Sequence, residues 1–219
     1  EPPVVLAPGY APLSFVAPEP GTYDLPAMGS AADGAVIDSE GNAAKLHDFL
    51  GGKPTVLSFI FTTCDDVNGC PLATYVMRSV QDALQADPAT ADRARLVSFS
   101  FDPVFDTPDV IDAYGSQFRT GDFDWQFLTT SGAAELDPIL NAYGQWVIRD
   151  YDEKGEYMGT MSHILRVFLI DESRQIRNIY STSFLHADTV ANDVRSLLME
   201  AGAEPSVSSS SGSALRTTR

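Results

Sequence analysis

The sequence predicts an α/β domain of three layers, with a mixed central sheet and a β-hairpin at its N-terminal side. Apolar runs of strand length, rich in β-branched and aromatic residues, alternate with segments whose apolar residues recur at helical spacing. Two such runs near the C-terminus are separated only by Asp171 to Arg174, too short a link for a crossover, so they should pair antiparallel inside an otherwise parallel arrangement. A hydrophobic fraction of 44% and a charged fraction of 20% over 219 residues are those of a globular domain with one good core.

The elements follow in order. Residues 1–26 are rich in proline, glycine and alanine without sustained periodicity, and read as an extended arm across the domain surface. The domain itself is expected over residues 27–201, followed at 202–219 by a Ser-rich disordered tail. Val36 to Asp38 and Ala43 to Leu46 flank the turn cluster Ser39-Glu40-Gly41-Asn42, which predicts the hairpin. Pro54 to Phe61 is an apolar run of strand length and β-branched or aromatic content, as a strand buried on both faces would be. It runs to Cys64. Pro71, directly after Cys70, opens a helix in which Leu72, Val76, Val80 and Leu84 recur every four residues, so that Cys70 would cap that helix. Leu96 to Phe101 is the next strand, and Thr107-Pro108 is the N-cap and first position of the next helix. Trp125 to Leu128 reads as a strand, Ser131 to Tyr143 as a helix disturbed by Pro138, and Trp146 to Tyr151 as a strand reaching a turn around Gly155. His163 to Ile170 and Gln175 to Ser181 are the antiparallel pair, and Val190, Val194, Leu197 and Leu198 mark the last helix. No internal repeat is present.

Charge excludes several functions. Lysine and arginine total 14 against 30 aspartates and glutamates, a formal charge of -16 with no basic stripe for phosphates, so nucleic acid is not an expected partner. The same charge repels anionic headgroups, and no apolar run approaches the roughly 20 residues that cross a bilayer, so the chain as given is not expected to insert into a membrane. It starts at Glu1 without methionine, as a mature exported protein or a trimmed chain would. The expected location is therefore the periplasm or another extracytoplasmic space, with any anchor carried by a removed N-terminal segment.

The only cysteines are Cys64 and Cys70, separated by Asp65 to Gly69. They are too few for a disulfide scaffold, and a local structural disulfide across so short a loop would contribute only about 2 kcal/mol. Both should lie at the carboxyl end of a strand and the N-terminus of a helix, where α/β sheets gather ligands. The helix N-terminus should lower the Cys70 thiol pKa, while Asp65 and Asp66 should oppose ionisation of Cys64. Asn68-Gly69 tolerates positive φ, which would let the loop turn back so that the sulfurs face each other as a disulfide or around a shared metal. Two thiolates suit Cu(I), with Zn(II) the competitor. A third ligand would come from His47, His163 or His186. His163 is favoured because its strand should lie beside the first buried one, although a strand-end histidine satisfied by hydrogen bonds explains it equally well. His47 and His186 read as surface residues. Met161, two positions earlier on an extended segment, would face the same way as His163 and offer a thioether, though packing is the plainer explanation. Asp102, Asp106 and Thr107 are adequately explained by turn and capping roles.

Together, SFIFTTCDDVNGCP (Ser58 to Pro71), FDPVFDTP (Phe101 to Pro108), WQFLT (Trp125 to Thr129) and HILRVFLID (His163 to Asp171) resemble the Sco/SenC family over about residues 33–200. The resemblance implies a thioredoxin-like fold, one copper ion per chain held as Cu(I) or Cu(II) by Cys64, Cys70 and His163, and a metallochaperone that assists assembly of the dinuclear copper centre of a respiratory oxidase or related copper enzyme. It implies as partners a copper-receiving enzyme subunit and a thiol reductant protein. This chain departs from the family pattern in having five residues between its cysteines rather than three, and Ser162 where the family has aspartate before the histidine. The alternative function is a thiol-disulfide oxidoreductase, with Cys64 and Cys70 as a catalytic redox pair that reduces cysteines of a copper-receiving partner. A thiol peroxidase is disfavoured because Leu57 and Phe61 stand at the offsets where that family carries proline and threonine. A binding module with a closed disulfide would leave neither thiol reactive.

Overall fold

The computed structural model describes residues 4–203, so most of the Ser-rich segment lies outside the described residues. After a 3₁₀ turn at Pro8–Tyr10 come β1 (Gly29–Ser30), β2 (Ala35–Asp38), β3 (Ala43–Lys45), α1 (Leu46–Phe49), β4 (Thr55–Ile60), α2 (Cys70–Gln85) and β5 (Arg95–Ser100). The chain continues through α3 (Pro108–Gly115), β6 (Trp125–Thr129), α4 (Ala133–Ala142), β7 (Val147–Tyr151), β8 (Tyr157–His163), β9 (Arg166–Ile170), β10 (Gln175–Ser181) and α5 (Ala187–Ala203). Eight strands form one mixed sheet in the order β1-β10-β9-β4-β5-β6-β2-β3, and β7 pairs with β8 alone.

Every residue of β4 is buried, as its predominantly apolar run requires of a strand covered on both faces, and its two hydroxyls are satisfied, Thr55 by Lys53 O and Ser58 by Ser98. It pairs parallel with β5 and antiparallel with β9, and β5 pairs parallel with β6. The expected antiparallel link between the last two strands is present, with Ile176 opposite Ile170 and Tyr180 opposite Val167. The hairpin of β2 and β3 closes as predicted. Asp38 accepts the Glu40 and Asn42 backbone N–H groups at 2.9 and 2.8 Å, and Gly41 takes φ +86°, which only glycine adopts cheaply. Helix α2 buries Leu72, Val76, Val80 and Leu84 on the stripe anticipated from their spacing, and it packs against α5, which buries Val190, Val194, Leu197 and Leu198. Pro138 lies inside α4 without ending it. No helix among the described residues is long and apolar enough to cross a membrane.

Two strand assignments needed correction. The sequence places a turn around Gly155 and assigns no element between it and His163, yet Tyr157–His163 is a strand paired with β7, with Val147 opposite His163 and Ile148 opposite Ser162. His163 therefore ends β8 and does not open the core strand, which starts three residues later at Arg166. Because β9 runs antiparallel to β4, its beginning lies beside the carboxyl end of β4, and His163 still reaches the loop that carries the cysteines.

Candidate metal centre

Cys64, Cys70 and His163 converge. Their ligand atoms, two Sγ and one ring nitrogen, all lie within 4.8 Å of one another, and Cys70 Sγ is 3.4 Å from His163 Nε2. Three separate pieces of backbone supply them. Cys64 sits on the loop after β4, where its N–H donates to Phe61 O at 3.3 Å. Cys70 is the first residue of α2 and only 1% exposed, and its sulfur accepts the Phe61 N–H at 3.4 Å. The cap of α2 is not Cys70 but Gly69, whose carbonyl accepts the Ala73 N–H at 3.1 Å. His163 is held edge-on to Phe61 and tilted against Phe101, with ring centroids 5.7 and 5.2 Å apart.

The imidazole is oriented by backbone. His163 Nδ1 lies 3.3 Å from Met161 O, and a carbonyl can only accept, so the proton belongs on Nδ1 and the Nε2 lone pair faces the sulfurs. Met161 is itself 6% exposed and joins the hydrophobic core. Its carbonyl supplies the orienting acceptor that Ser162 cannot. The Ser162 hydroxyl turns outward instead, 3.4 Å from Asp150 across the hairpin.

The loop between the cysteines turns by a different device from the one its sequence suggested. Neither Asn68 nor Gly69 adopts positive φ. Asp66 makes the turn, accepting the Asn68 N–H on its side chain at 3.0 Å and the Gly69 N–H on its carbonyl at 2.8 Å. The Asn68 side chain is directed to the N-terminal arm, receiving the Ala7 N–H at 2.7 Å and donating to Val5 O at 2.9 Å.

The two thiols differ in the sense opposite to the expectation. Burial pushes the Cys70 thiol well up, and its neighbour Cys64 raises it further. Cys64 is brought down to about 7, chiefly by a hydrogen bond from the Cys70 side chain, with the Cys70 and Asp66 backbone N–H groups assisting. Desolvation outweighs the helix N-terminus at Cys70, and hydrogen bonding outweighs the aspartates at Cys64.

Of the residues set aside as capping groups, Asp106 does more than that. It is fully buried, and it accepts the Thr62 N–H at 3.0 Å, the Thr62 hydroxyl and the Ser100 hydroxyl at 2.5 Å. It thus ties the loop leading to Cys64 to the end of β5, whereas Thr107 occupies the N-cap position of α3 without a side-chain bond. Thr62, Ser100 and Asp106 come from two separate segments, more than 35 residues apart in the chain, and carry no periodic signal, which is why this network was not legible. His47 does lie near the surface, with its Nε2 2.9 Å from Ala31 O. His186 does not. It is 9% exposed beneath the N-terminal arm, with Nε2 2.8 Å from Ala11 O and Nδ1 accepting the Asp188 N–H at 3.1 Å, so neither nitrogen is left for a metal.

A mixed sheet with a paired-thiol loop and an opposing histidine at its carboxyl edge defines a thioredoxin-like domain built around a soft three-donor centre. The chain belongs to the SCO1/SenC family, whose model matches residues 32–199. It is similar to a SCO1 protein homolog of Bacillus subtilis, 31% identical over 88 residues, 40% of this chain and 43% of that protein. It is also similar to a putative copper-binding protein of Stutzerimonas stutzeri, 30% identical over 129 residues, 58% of each chain. The chain thus spans about half the length of the curated relatives it matches. Among solved structures, Bradyrhizobium japonicum ScoI with copper bound superposes with a TM-score of 0.63 at 25% identity, covering 77% of this chain and 99% of that one.

Proposed function

We propose that this protein is a metallochaperone that carries one copper ion on Cys64, Cys70 and His163 and delivers it to a copper-receiving subunit of a respiratory oxidase or related copper enzyme. The observation that carries the reading is the convergence of two sulfurs and one imidazole nitrogen within 4.8 Å of one another. That donor set fits copper in both oxidation states, since thiolates favour Cu(I) and the added nitrogen favours Cu(II). The Nδ1 proton on His163 leaves Nε2 free to ligate, and Phe61 and Phe101 pack against the ring. Both thiols must give up their protons to ligate, so loading releases protons and weakens as pH falls. The copper bound in the Bradyrhizobium japonicum ScoI structure and the copper-binding name of the Stutzerimonas stutzeri relative support the same cargo. We place the protein outside the cytoplasm, working with a thiol reductant protein that returns Cys64 and Cys70 to the reduced state.

Reduced protein should bind one copper ion per chain and, as Cu(II), show a thiolate-to-metal charge-transfer absorption. Exchanging Cys64 and Cys70 together for serine should abolish that band. In folded His163→Ala the Cu(II) affinity should fall far more than the Cu(I) affinity. Two ions per chain, or copper binding undiminished in the double serine variant, would refute the proposal.

The second reading, a thiol-disulfide oxidoreductase acting on a copper-receiving partner, draws on the Cys64 thiol being lowered to about 7, near the optimum for an attacking thiol at neutral pH. A large loss of disulfide-exchange rate in folded His163→Ala, with Cu(II) affinity unchanged, would favour it.

A further inference from the structure

We propose that residues 5–10 of the N-terminal arm are a clamp on the thiol site, and that Asn68 and Tyr10 are positioning residues that set how the sulfurs of Cys64 and Cys70 meet. The proposal rests on the reading of these two cysteines as a working pair. The arm grips the loop in its middle. Asn68 spends both ends of its side-chain amide there, accepting from Ala7 N–H at 2.7 Å and donating to Val5 O at 2.9 Å. This is the pair of bonds that a neighbouring strand would make to alternate residues of an extended segment. Tyr10 donates its hydroxyl to Val67 O at 2.6 Å. Its ring lies 4.9 Å from that of Tyr75, on the helix that Cys70 opens.

The arm is seated in a slot that only glycine fits. A Cβ at Gly9 would stand 2.3 Å from Leu185 O and 3.1 Å from Leu72 Cδ1. Further along, Ala11 O is held by His186 Nε2 at 2.8 Å. The arm is therefore fixed to the helix behind Cys70 and to the segment before α5, and from that base it holds Val67 and Asn68. The ends of the loop are held by β4 and α2, and Asp66 organises its first turn. Without the arm, five residues would be left to wander between the two thiols, and the effective concentration of one sulfur at the other would fall.

The readout is the equilibrium with glutathione. In that exchange the thiols of Cys64 and Cys70 are oxidised to one disulfide, while one glutathione disulfide is reduced to two glutathione thiols that take up the two protons. In the full chain, Tyr10→Phe combined with Asn68→Ala should lower this equilibrium constant about tenfold, since the three hydrogen bonds that hold the loop are lost. Gly9→Ala should lower it in the same direction by unseating the arm without touching the loop. Circular dichroism and a thermal midpoint establish that each variant is folded. Should the double variant not fold, Tyr10→Phe removes a single hydroxyl and should still lower the constant about threefold. Folded variants whose midpoints fall while the constant stays within twofold of the parent would overturn the clamp and reduce the arm to packing. The measurement needs no metal, so a parent protein that fails to bind copper would defeat the proposed function and leave this test standing.

Discussion

Asp106 and the two cysteines show how far a residue's neighbours override its sequence context. Cys64 and Cys70 share one loop, yet burial decides the proton affinity of one and hydrogen bonding that of the other. Asp106 is a carboxyl whose pKa is raised by burial, against the hydrogen bonds from Ser100 and Thr62 that favour its charged form. A group whose folded pKa lies above its unfolded value of 3.8 contributes stability that is fully present below 3.8 and lost as pH rises through the folded pKa. Asp106→Asn keeps the shape and three hydrogen-bonding positions, because the Thr62 hydroxyl can accept from the new amide. It should stay within about 1 kcal/mol of the parent at neutral pH, and the parent's advantage over it should shrink as pH is raised from below 3.8. Asp106→Ala should cost about 2 to 4 kcal/mol, because the buried donors of Thr62 and Ser100 lose their acceptor. Urea unfolding of both variants across pH checks this. An alanine variant as stable as the parent would mean that the carboxylate organises nothing.

Among the elements, those with a strong period or a predominantly apolar run were legible, and those built from mixed residues were not. β4 declared itself by apolar content, α2 by its every-fourth-residue stripe, and β10 was anticipated at both ends. β8 escaped because YMGTMSH has neither strict alternation nor a β-branched run, and its pairing with β7 is what makes it a strand. The ligand set was read from residue types and family likeness, and the structure brings the same three residues together by another route, through the end of β8. The Asn68 clamp and the buried His186 were illegible for a shared reason: both depend on an arm more than 60 residues away, or for His186 about 175, and nothing local announces such contacts. The approach of α3 to β6 was equally silent. Gly115 closes α3 against Phe127, where a Cβ would lie 2.6 Å from ring carbon Cδ2. Gly115→Ala should therefore destabilise by about 1 to 3 kcal/mol, despite alanine's higher helix propensity, because the ring has to shift within a packed core. A urea midpoint at or above the parent's would show that the interface yields freely.

At the scale of the whole molecule, the candidate centre is where three parts of the chain that need not move together are joined. Cys64 belongs to the loop after β4, Cys70 to α2, and His163 to the two-stranded sheet of β7 and β8, which shares no ladder with the main sheet. Oxidation and metal loading should therefore differ in what they rigidify. A disulfide between Cys64 and Cys70 ties only the first two parts, whereas copper on all three ligands also ties the hairpin to the core. A ligand present at a hundred times its dissociation constant stabilises the folded state by about 2.7 kcal/mol, and local opening that frees a ligand is suppressed by the same linkage. Amide hydrogen exchange in the β7–β8 ladder, around the Val147 to His163 and Ile148 to Ser162 pairs, should slow by about a hundredfold in the copper-loaded protein under those conditions. The same amides should exchange at the reduced apo rate in the disulfide form, and in His163→Ala loaded with Cu(I), while exchange across β4 and β9 should respond little to any of these states. If oxidation protects the hairpin as strongly as copper does, the hairpin is coupled to the thiol loop through packing alone, and His163 is not the tie between them.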